Sequence, residues 1–221
     1  PTIRKDFNDL FLSLNSKFHP KTQRVFTNAL KYSSALQNAL DDRATSITTS
    51  IDAGTEATFR KIRDSKGLDK VLKSLGRYAK NNPDLVTIKY IFTLDNYDSE
   101  NLSKFVERVK KNNLVKCNYL ISADFKYKTL SNKLVISIIS LYFRLYSEGI
   151  YTVSFDDHVF HKVRTIGKNV NHYLDNLTTS KADKKFVKDY IPIEENWVAK
   201  GQELKIQIQS MPSPPLTANN V

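Results

Sequence analysis

The sequence predicts an α/β fold built on a parallel sheet. Short runs rich in β-branched and aromatic residues alternate with amphipathic stretches along residues 6–155, and this alternation is typical of βαβ units. Turn and cap residues separate the two kinds of segment: Pro83 stops one amphipathic stretch, Asp98 can cap the next, and Gly149 follows a third. With 221 residues and 40% hydrophobic content, the chain can bury a substantial core.

The alternation assigns the elements in order. Strands are predicted at 24–27, 46–51, 85–93, 115–121 and 149–155. Helices are predicted at 6–17, 34–40, 55–62, 68–79, 99–111 and 132–147. After residue 155 the pattern changes to helices at 157–176 and 182–189 and a late strand at 203–209, followed by a proline-rich tail. One α/β domain with a mostly helical extension is therefore expected.

Charge and hydropathy narrow the function classes. The chain carries 34 Lys and Arg against 23 Asp and Glu, a net charge of +11. Basic residues such as Lys110 and Lys111 lie beside acidic neighbours such as Glu107, and no recognition helix or aromatic RNA platform accompanies them, so a solvated basic surface is favoured over nucleic-acid binding. No apolar run is long enough to span a membrane and no signal-peptide pattern opens the sequence, so a cytoplasmic protein without a membrane anchor is expected.

Cysteine and histidine give weak metal signals. The single cysteine, Cys117, excludes an internal disulfide and any thiolate-rich metal site made by this chain alone, and its apolar neighbours indicate a buried core thiol. Asp157 and His158, with His161 one helical turn further on, could ligate a metal. A helix cap explains the adjacent aspartates Asp156 and Asp157 better, so no metal site is predicted.

Polar residues recur where the predicted strands end. Because the carboxyl ends of parallel strands meet at one edge, these side chains are expected to share a pocket. They are Thr27, Asn28, Ser50, Asp52, Lys89, Asn96, Ser122, Asp124, Asp156, Asp157 and His158.

The segment 50–63 is the most informative of these. Gly54 permits a tight turn and Thr55 can cap the following helix, which ends at Arg63. Ser50 and Asp52 can bond ribose hydroxyls, and Arg63 can pair with a carboxylate through two hydrogen bonds. A capping turn with a surface arginine explains the same residues equally well on physical grounds alone.

Three segments in this order resemble the radical SAM family. They are Thr-Asn-Ala-Leu at 27–30, Ser-Ile-Asp-Ala-Gly-Thr at 50–55 with Phe-Arg-Lys-Ile-Arg at 59–63, and Ile-Lys-Tyr-Ile-Phe-Thr at 88–93 with Asn96. The opening Pro1-Thr2 is similar to the end of that family's Gly-Gly-Glu-Pro-Thr motif. The resemblance covers residues 1–160 and is most specific over 50–63.

The resemblance implies a fold and a chemistry. It implies a partial (β/α)₆ TIM-like barrel over 1–160, lacking its first strands. Beyond it, the residue pattern predicts a mostly helical extension at 161–209 and a disordered tail at 210–221. Such enzymes hold a [4Fe-4S] cluster that binds S-adenosylmethionine and, with electrons from a flavodoxin or ferredoxin, release a 5′-deoxyadenosyl radical that abstracts a substrate hydrogen.

The resemblance also assigns residues. Ser50 would contact the ribose of S-adenosylmethionine and Arg63 its carboxylate. Asp52, Lys89 and Asn96 would line the same pocket. Thr27 and Asn28 would lie at the neighbouring strand end, where Ala29 replaces the usual glycine. Beyond these cofactor contacts, the substrate-side candidates are Asp157 and His158.

One departure from the family pattern governs the expected activity. Three cysteines in a Cys-x-x-x-Cys-x-x-Cys loop normally ligate the cluster, and this chain has only Cys117. The chain is therefore expected to be the C-terminal portion of a radical SAM enzyme, inactive alone, with its cluster ligands upstream of Pro1. The alternatives are a cluster-less barrel that serves as a binding or scaffold module, and a basic α/β protein that binds nucleic acid.

Overall fold

A five-stranded parallel sheet forms the centre of the protein. The computed structural model describes residues 5–156 and residue 159. The strands are β1 (Gln23–Phe26), β2 (Thr45–Ser50), β3 (Val86–Phe92), β4 (Asn118–Ala123) and β5 (Val153–Phe155). They pair in sequential order, each parallel to the next. The sheet is open, with β1 and β5 at its two edges, so the α/β class predicted from the sequence is confirmed and no closed barrel is formed by these strands.

Helices cover one face of this sheet. They are α1 (Phe7–Phe18), α2 (Ser34–Asp41), α3 (Glu56–Arg63), α4 (Leu68–Tyr78), α5 (Ser99–Lys111) and α6 (Asn132–Ser147). Sequential strand order with right-handed crossovers places successive connections on the same side. The ring of Phe105 on α5 lies 4.9 Å from that of Tyr90, and Tyr142 on α6 lies 5.8 Å from Phe155. Tyr90 and Phe155 both pair with Ile121 in the register, so α5 and α6 pack on one face.

The opposite face, called the open face below, is mainly polar. Side chains alternate along β3: Ile88 and Tyr90 are buried toward the helices, whereas Thr87 and Lys89 are half-buried on the open face. The register continues this face across the sheet through Arg24, Phe26, Ser46, Thr48, Ser50, Ile91, Asn118, Leu120, Ser122 and Ser154. Because most of these residues carry hydroxyl, amide or charged groups, the face is not built to pack against an apolar helix layer.

Side-chain caps explain where the helices begin. The first turns of α2, α3, α5 and α6 each donate a backbone N–H to a capping oxygen, from Ser33, Thr55, Asp98 and Ser131 respectively. The start of α4 is capped from a distance, because the Glu56 carboxylate accepts the N–H groups of Gly67 at 2.6 Å and Leu68 at 2.9 Å. Glu56 thereby joins α3 to α4.

The predicted helices and strands agree with the structure to within one residue, except at both ends of β4 and at the start of β5. Strand 115–121 was expected, but β4 begins at Asn118 because a turn precedes it, in which Cys117 N–H donates to Leu114 O at 3.0 Å. Strand 149–155 was expected, but β5 begins at Val153 because Gly149, with φ 77°, closes α6. Apart from Val159, the predicted helices at 157–176 and 182–189, the predicted strand at 203–209, the extension at 161–209 and the tail at 210–221 lie outside the described residues.

Ion pairs join basic and acidic side chains on the surface of the described part of the chain. They are Arg43–Asp84, Lys61–Asp95, Lys104–Glu107, Arg108–Asp69 and Lys110–Glu148. This arrangement agrees with the dispersed basic surface expected from the sequence. Within 5–156 and at 159, no helix is both long enough and apolar enough to cross a bilayer.

Two threonines on the helix-covered face of β2 are predicted to respond oppositely to the same substitution. Thr49 is fully buried and its Oγ1 has no hydrogen-bond partner within the described residues, whereas Thr45 Oγ1 accepts from Gln23 Nε2 at 2.8 Å. Thr49→Val should raise the free energy of unfolding by roughly 1 kcal/mol, and Thr45→Val should lower it by roughly 1 kcal/mol. Urea unfolding of both variants checks this, and shifts of the same sign would contradict it.

Candidate functional site

A cleft of about 410 Å³ opens at the carboxyl ends of β1 and β2. Its lining is Phe26, Thr27, Asn28, Leu30, Thr48, Ser50, Phe59, Arg63 and Ser65. This volume lies within the roughly 300–1,000 Å³ typical of small-molecule sites. Four residues predicted from the sequence, taken from the segments 27–30 and 50–63, are therefore brought together in one place: Thr27, Asn28, Ser50 and Arg63.

The turn after β1 positions Thr27 and Asn28. Thr27 Oγ1 accepts the Ala29 N–H at 3.1 Å, and Ala29 is fully buried with φ 53°. That backbone conformation favours glycine and costs an alanine about 1–2 kcal/mol. The tight turn keeps Thr27 and Asn28 at the mouth of the cleft.

The Asp52 carboxylate organises the loop that follows β2. Its backbone has φ 57°, and its side chain is almost fully buried. Oδ1 accepts the N–H of Ile91 at 2.7 Å, and Oδ2 accepts the guanidinium of Arg63. One carboxylate thus connects the end of β2 to β3 and to the end of α3.

Arg63 faces the cleft from this anchored position. Its side chain is 33% exposed, and one guanidinium nitrogen, Nη2, binds Asp52. A guanidinium carries five N–H donors in a planar fork, so the pair with Asp52 leaves donors that can bind a carboxylate or phosphate oxygen. Asp52 therefore orients the Arg63 guanidinium and leaves N–H donors for a ligand.

Burial dominates the ionisation of Asp52. Removal from water raises the pKa of Asp52 to about 6, while Arg63 and the Ile91 N–H act more weakly in the opposite direction. The carboxylate is therefore mostly ionised at neutral pH, where its pair with Arg63 is complete.

Asn96 supports the site from within the protein and is not part of the cleft lining. It is fully buried, and its Nδ2 donates to the carbonyl oxygens of Asp52 and Ile91, each at 2.8 Å. Its Oδ1 accepts the Thr93 N–H at 2.7 Å. These bonds join the loops after β2 and β3, so Asn96 shapes the cleft through the backbone.

Gly54 allows the same loop to lie against α5. A Cβ at this position would lie 2.6 Å from Phe105 N and would overlap Asn101 O. The Gly54 N–H donates to Asn101 Oδ1 at 3.2 Å, and its carbonyl accepts from Arg108 Nε at 2.8 Å. The close approach of two backbones therefore explains this glycine, whereas the sequence indicated only a turn.

Lys89 belongs to a second polar group on the open face. It pairs with Ser50 in the register, but its Nζ lies 2.6 Å from Asp156 Oδ2. Ser122 Oγ donates to the same oxygen at 3.1 Å. We call these three residues the Lys89–Ser122–Asp156 cluster. The sequence indicated Ser122 and Asp156 only as polar residues at strand ends, without a role.

Several cleft residues were not found from the sequence. Thr48 precedes Ser50 by two residues, so the strand period alone could have placed both on one face. Phe26 and Phe59 supply apolar walls, and nothing in their local pattern separates them from core residues. The substrate-side candidates Asp157 and His158 lie outside the described residues.

The described residues do not suggest a metal centre. No group of three or more candidate ligands is found in 5–156 and 159. Cys117 is fully buried just before β4, and burial raises the pKa of its thiol to about 12. It is the core thiol that the sequence predicted, and it lies at the amino end of its strand, away from the cleft.

Comparison with family models and with curated proteins gives no relative to which the site can be referred. No family model matches the chain, and no curated protein matches it. The interpretation of the cleft below therefore depends on its own geometry and on the sequence resemblance.

The burial of Asp52 predicts a specific pH dependence of stability. In the folded protein the pKa of Asp52 is about 6, above the ordinary value of 3.8, so the folded state binds this proton more tightly than the unfolded state does. The protonated side chain therefore stabilises the fold at low pH, and this stabilisation is lost as pH rises through the range. Relative to Asp52→Asn, the wild-type protein should lose on the order of 2 kcal/mol of unfolding free energy between about pH 4 and pH 7. Urea unfolding at several pH values measures this difference.

Asp84 provides a control of opposite sign. Its exposed carboxylate binds Arg43, which lowers the pKa of Asp84. Stability relative to Asp84→Asn should therefore rise slightly with pH over the acid range. If the unfolding free energy of the wild-type protein relative to Asp52→Asn stays constant or rises with pH, burial does not dominate the pKa of Asp52.

Proposed function

We propose that the cleft binds S-adenosylmethionine as part of a radical SAM protein. One observation carries the proposal: Thr27, Asn28, Ser50 and Arg63, which the sequence resemblance selects from two of its three segments, line a single cleft. Because any parallel sheet brings the carboxyl ends of its strands to one edge, the support comes from the match between these residue types and the parts of the cofactor.

The architecture supports the same proposal. Sequential parallel strands with helices on one face are features expected of part of a (β/α) barrel. The cleft lies at the carboxyl ends of the strands, where ligands bind in such barrels. The left-handed backbone of Ala29 also fits, because the family pattern has glycine at that position.

The residues of the cleft suit the parts of S-adenosylmethionine. The Ser50 hydroxyl can hydrogen-bond the ribose, and Arg63 can bind the carboxylate through donors that Asp52 leaves available. Phe26 and Phe59 offer apolar surface for the adenine. When it is bound at a reduced [4Fe-4S] cluster, the cofactor supplies the 5′-deoxyadenosyl radical that abstracts hydrogen.

The cluster itself does not fit the residues of this chain. Three thiolates are needed, and the one cysteine is buried at the opposite end of its strand. Under this proposal the cluster ligands belong to residues other than these 221, and the electron donor would be a protein such as flavodoxin or ferredoxin. What the present chain contributes is the wall that holds the ribose and carboxylate.

Isothermal titration of the full chain with S-adenosylmethionine tests the proposal. The wild-type protein should bind with a dissociation constant below about 1 mM, which corresponds to more than about 4 kcal/mol. Arg63→Ala should weaken binding about tenfold or more, because a charged hydrogen bond of roughly 1.5–3 kcal/mol is lost. Ser50→Ala should also weaken binding, without disturbing the Asp52 pair.

Arg60→Ala is the matched control, since Arg60 lies on the same helix with its side chain exposed and outside the cleft lining. Thermal unfolding of each variant shows whether it remains folded. The proposal fails if the wild-type protein does not bind, or if folded Ser50→Ala and Arg63→Ala bind as tightly as Arg60→Ala.

A further inference from the structure

The open face of the sheet carries a polar cluster that the cleft does not use. The Lys89–Ser122–Asp156 cluster spans β3, β4 and the residue after β5. Its members are not among the lining of the cleft. The side chains of Lys89 and Asp156 are 17% and 25% exposed, so the pair is sheltered but still accessible to a ligand.

The setting of this cluster is unusual for a structural ion pair. Parallel sheets are normally covered by apolar packing on both faces, yet the neighbours of the cluster on the open face include hydroxyl groups as well as Ile91 and Leu120. Ser50 is the register partner of Lys89 on one side, and Leu120 is its partner on the other, beside Ser154. A polar, sheltered surface beside a cofactor-sized cleft is suited to holding a polar ligand.

The chemistry of the pair selects one kind of ligand group. Asp156 Oδ2 lies 2.6 Å from Lys89 Nζ, so opposite charges meet almost at one point. An anionic ligand would be attracted by Lys89 but repelled by Asp156, and a cationic ligand would meet the reverse. A hydroxyl group both donates and accepts, so it can satisfy the ammonium and the carboxylate together.

We propose that the Lys89–Ser122–Asp156 cluster is a subsite for a neutral, hydroxyl-bearing substrate such as a sugar or polyol. The ammonium donates to a substrate hydroxyl, which in turn donates to the carboxylate, while Ser122 holds the carboxylate in place. Its role as a substrate site rests on the proposed function of the adjacent cleft, although binding of the hydroxyl compound can be measured independently.

Saturation-transfer NMR and titration of the full chain with methyl α-D-glucoside test this subsite. Glycine and inorganic phosphate, titrated in parallel, represent zwitterionic and anionic ligands. The wild-type protein should bind the glucoside at millimolar concentration and bind the other two more weakly. Lys89→Met and Asp156→Asn should each weaken glucoside binding at least tenfold.

Lys104→Met is the matched control, because Lys104 also forms an ion pair, with Glu107, but on the exposed surface of α5. It should leave glucoside binding unchanged. Ser122→Ala, which keeps both charges, should weaken glucoside binding at least threefold and serves as the test if the charge variants do not fold.

The subsite is disproved if the wild-type protein does not bind the glucoside, if glycine or phosphate binds more tightly, or if folded cluster variants bind it as well as Lys104→Met does. S-adenosylmethionine is titrated into the same wild-type sample. Binding of the glucoside without S-adenosylmethionine contradicts the proposed function of the cleft, whereas the reverse result contradicts only the subsite.

Discussion

The Asp52 carboxylate joins three parts of the chain that are distant in sequence. It accepts the Ile91 N–H of β3 with one oxygen and the Arg63 guanidinium with the other, from a left-handed position just after β2. The side-chain amide of Asn96 donates a hydrogen bond to the Asp52 carbonyl oxygen. Because the carboxylate is buried, leaving any of these donors unmatched would be costly. The turn after β2, the direction of Arg63 and one wall of the cleft all depend on this arrangement.

The two faces of the sheet carry different kinds of side chain. The helix-covered face contains the aromatic contacts between Tyr90, Phe105 and Tyr119 that stabilise the core. The open face contains the polar cluster of Lys89, and the cleft lies at the adjoining sheet edge. Since strand side chains alternate, one strand such as β3 supplies both the core and the proposed site.

Much of the fold could be predicted from the sequence because its local signals agree. The hydrophobic periods mark the strands and helices, and Thr55, Asp98 and Gly149 fall where helices begin or end. The starts of β4 and β5 were missed because apolar residues there serve turns that close onto a preceding helix. Periodicity alone does not separate an apolar turn from the first residues of a strand.

The site could be predicted only in part. Residue types at the end of a strand and of the helix after it identified Ser50 and Arg63, but the partners of each polar group depend on register and on contacts far along the chain. Asn96 was assigned to the pocket from its position after a strand and from the resemblance, yet its donors and acceptor are directed to backbone groups. The pairing of Lys89 with Asp156 connects residues 67 positions apart, which no local pattern reveals.

A double-mutant cycle at Asp52 and Arg63 tests the central claim most directly. The free energies of unfolding of the wild-type protein, Asp52→Asn, Arg63→Gln and the double variant are measured at neutral pH. A coupling energy above about 1 kcal/mol is predicted, because removing either partner leaves the other without its charge-assisted bond at a largely buried position. A coupling below about 0.3 kcal/mol would show that the two residues act independently, and would contradict the role of Asp52 in fixing Arg63 at the cleft.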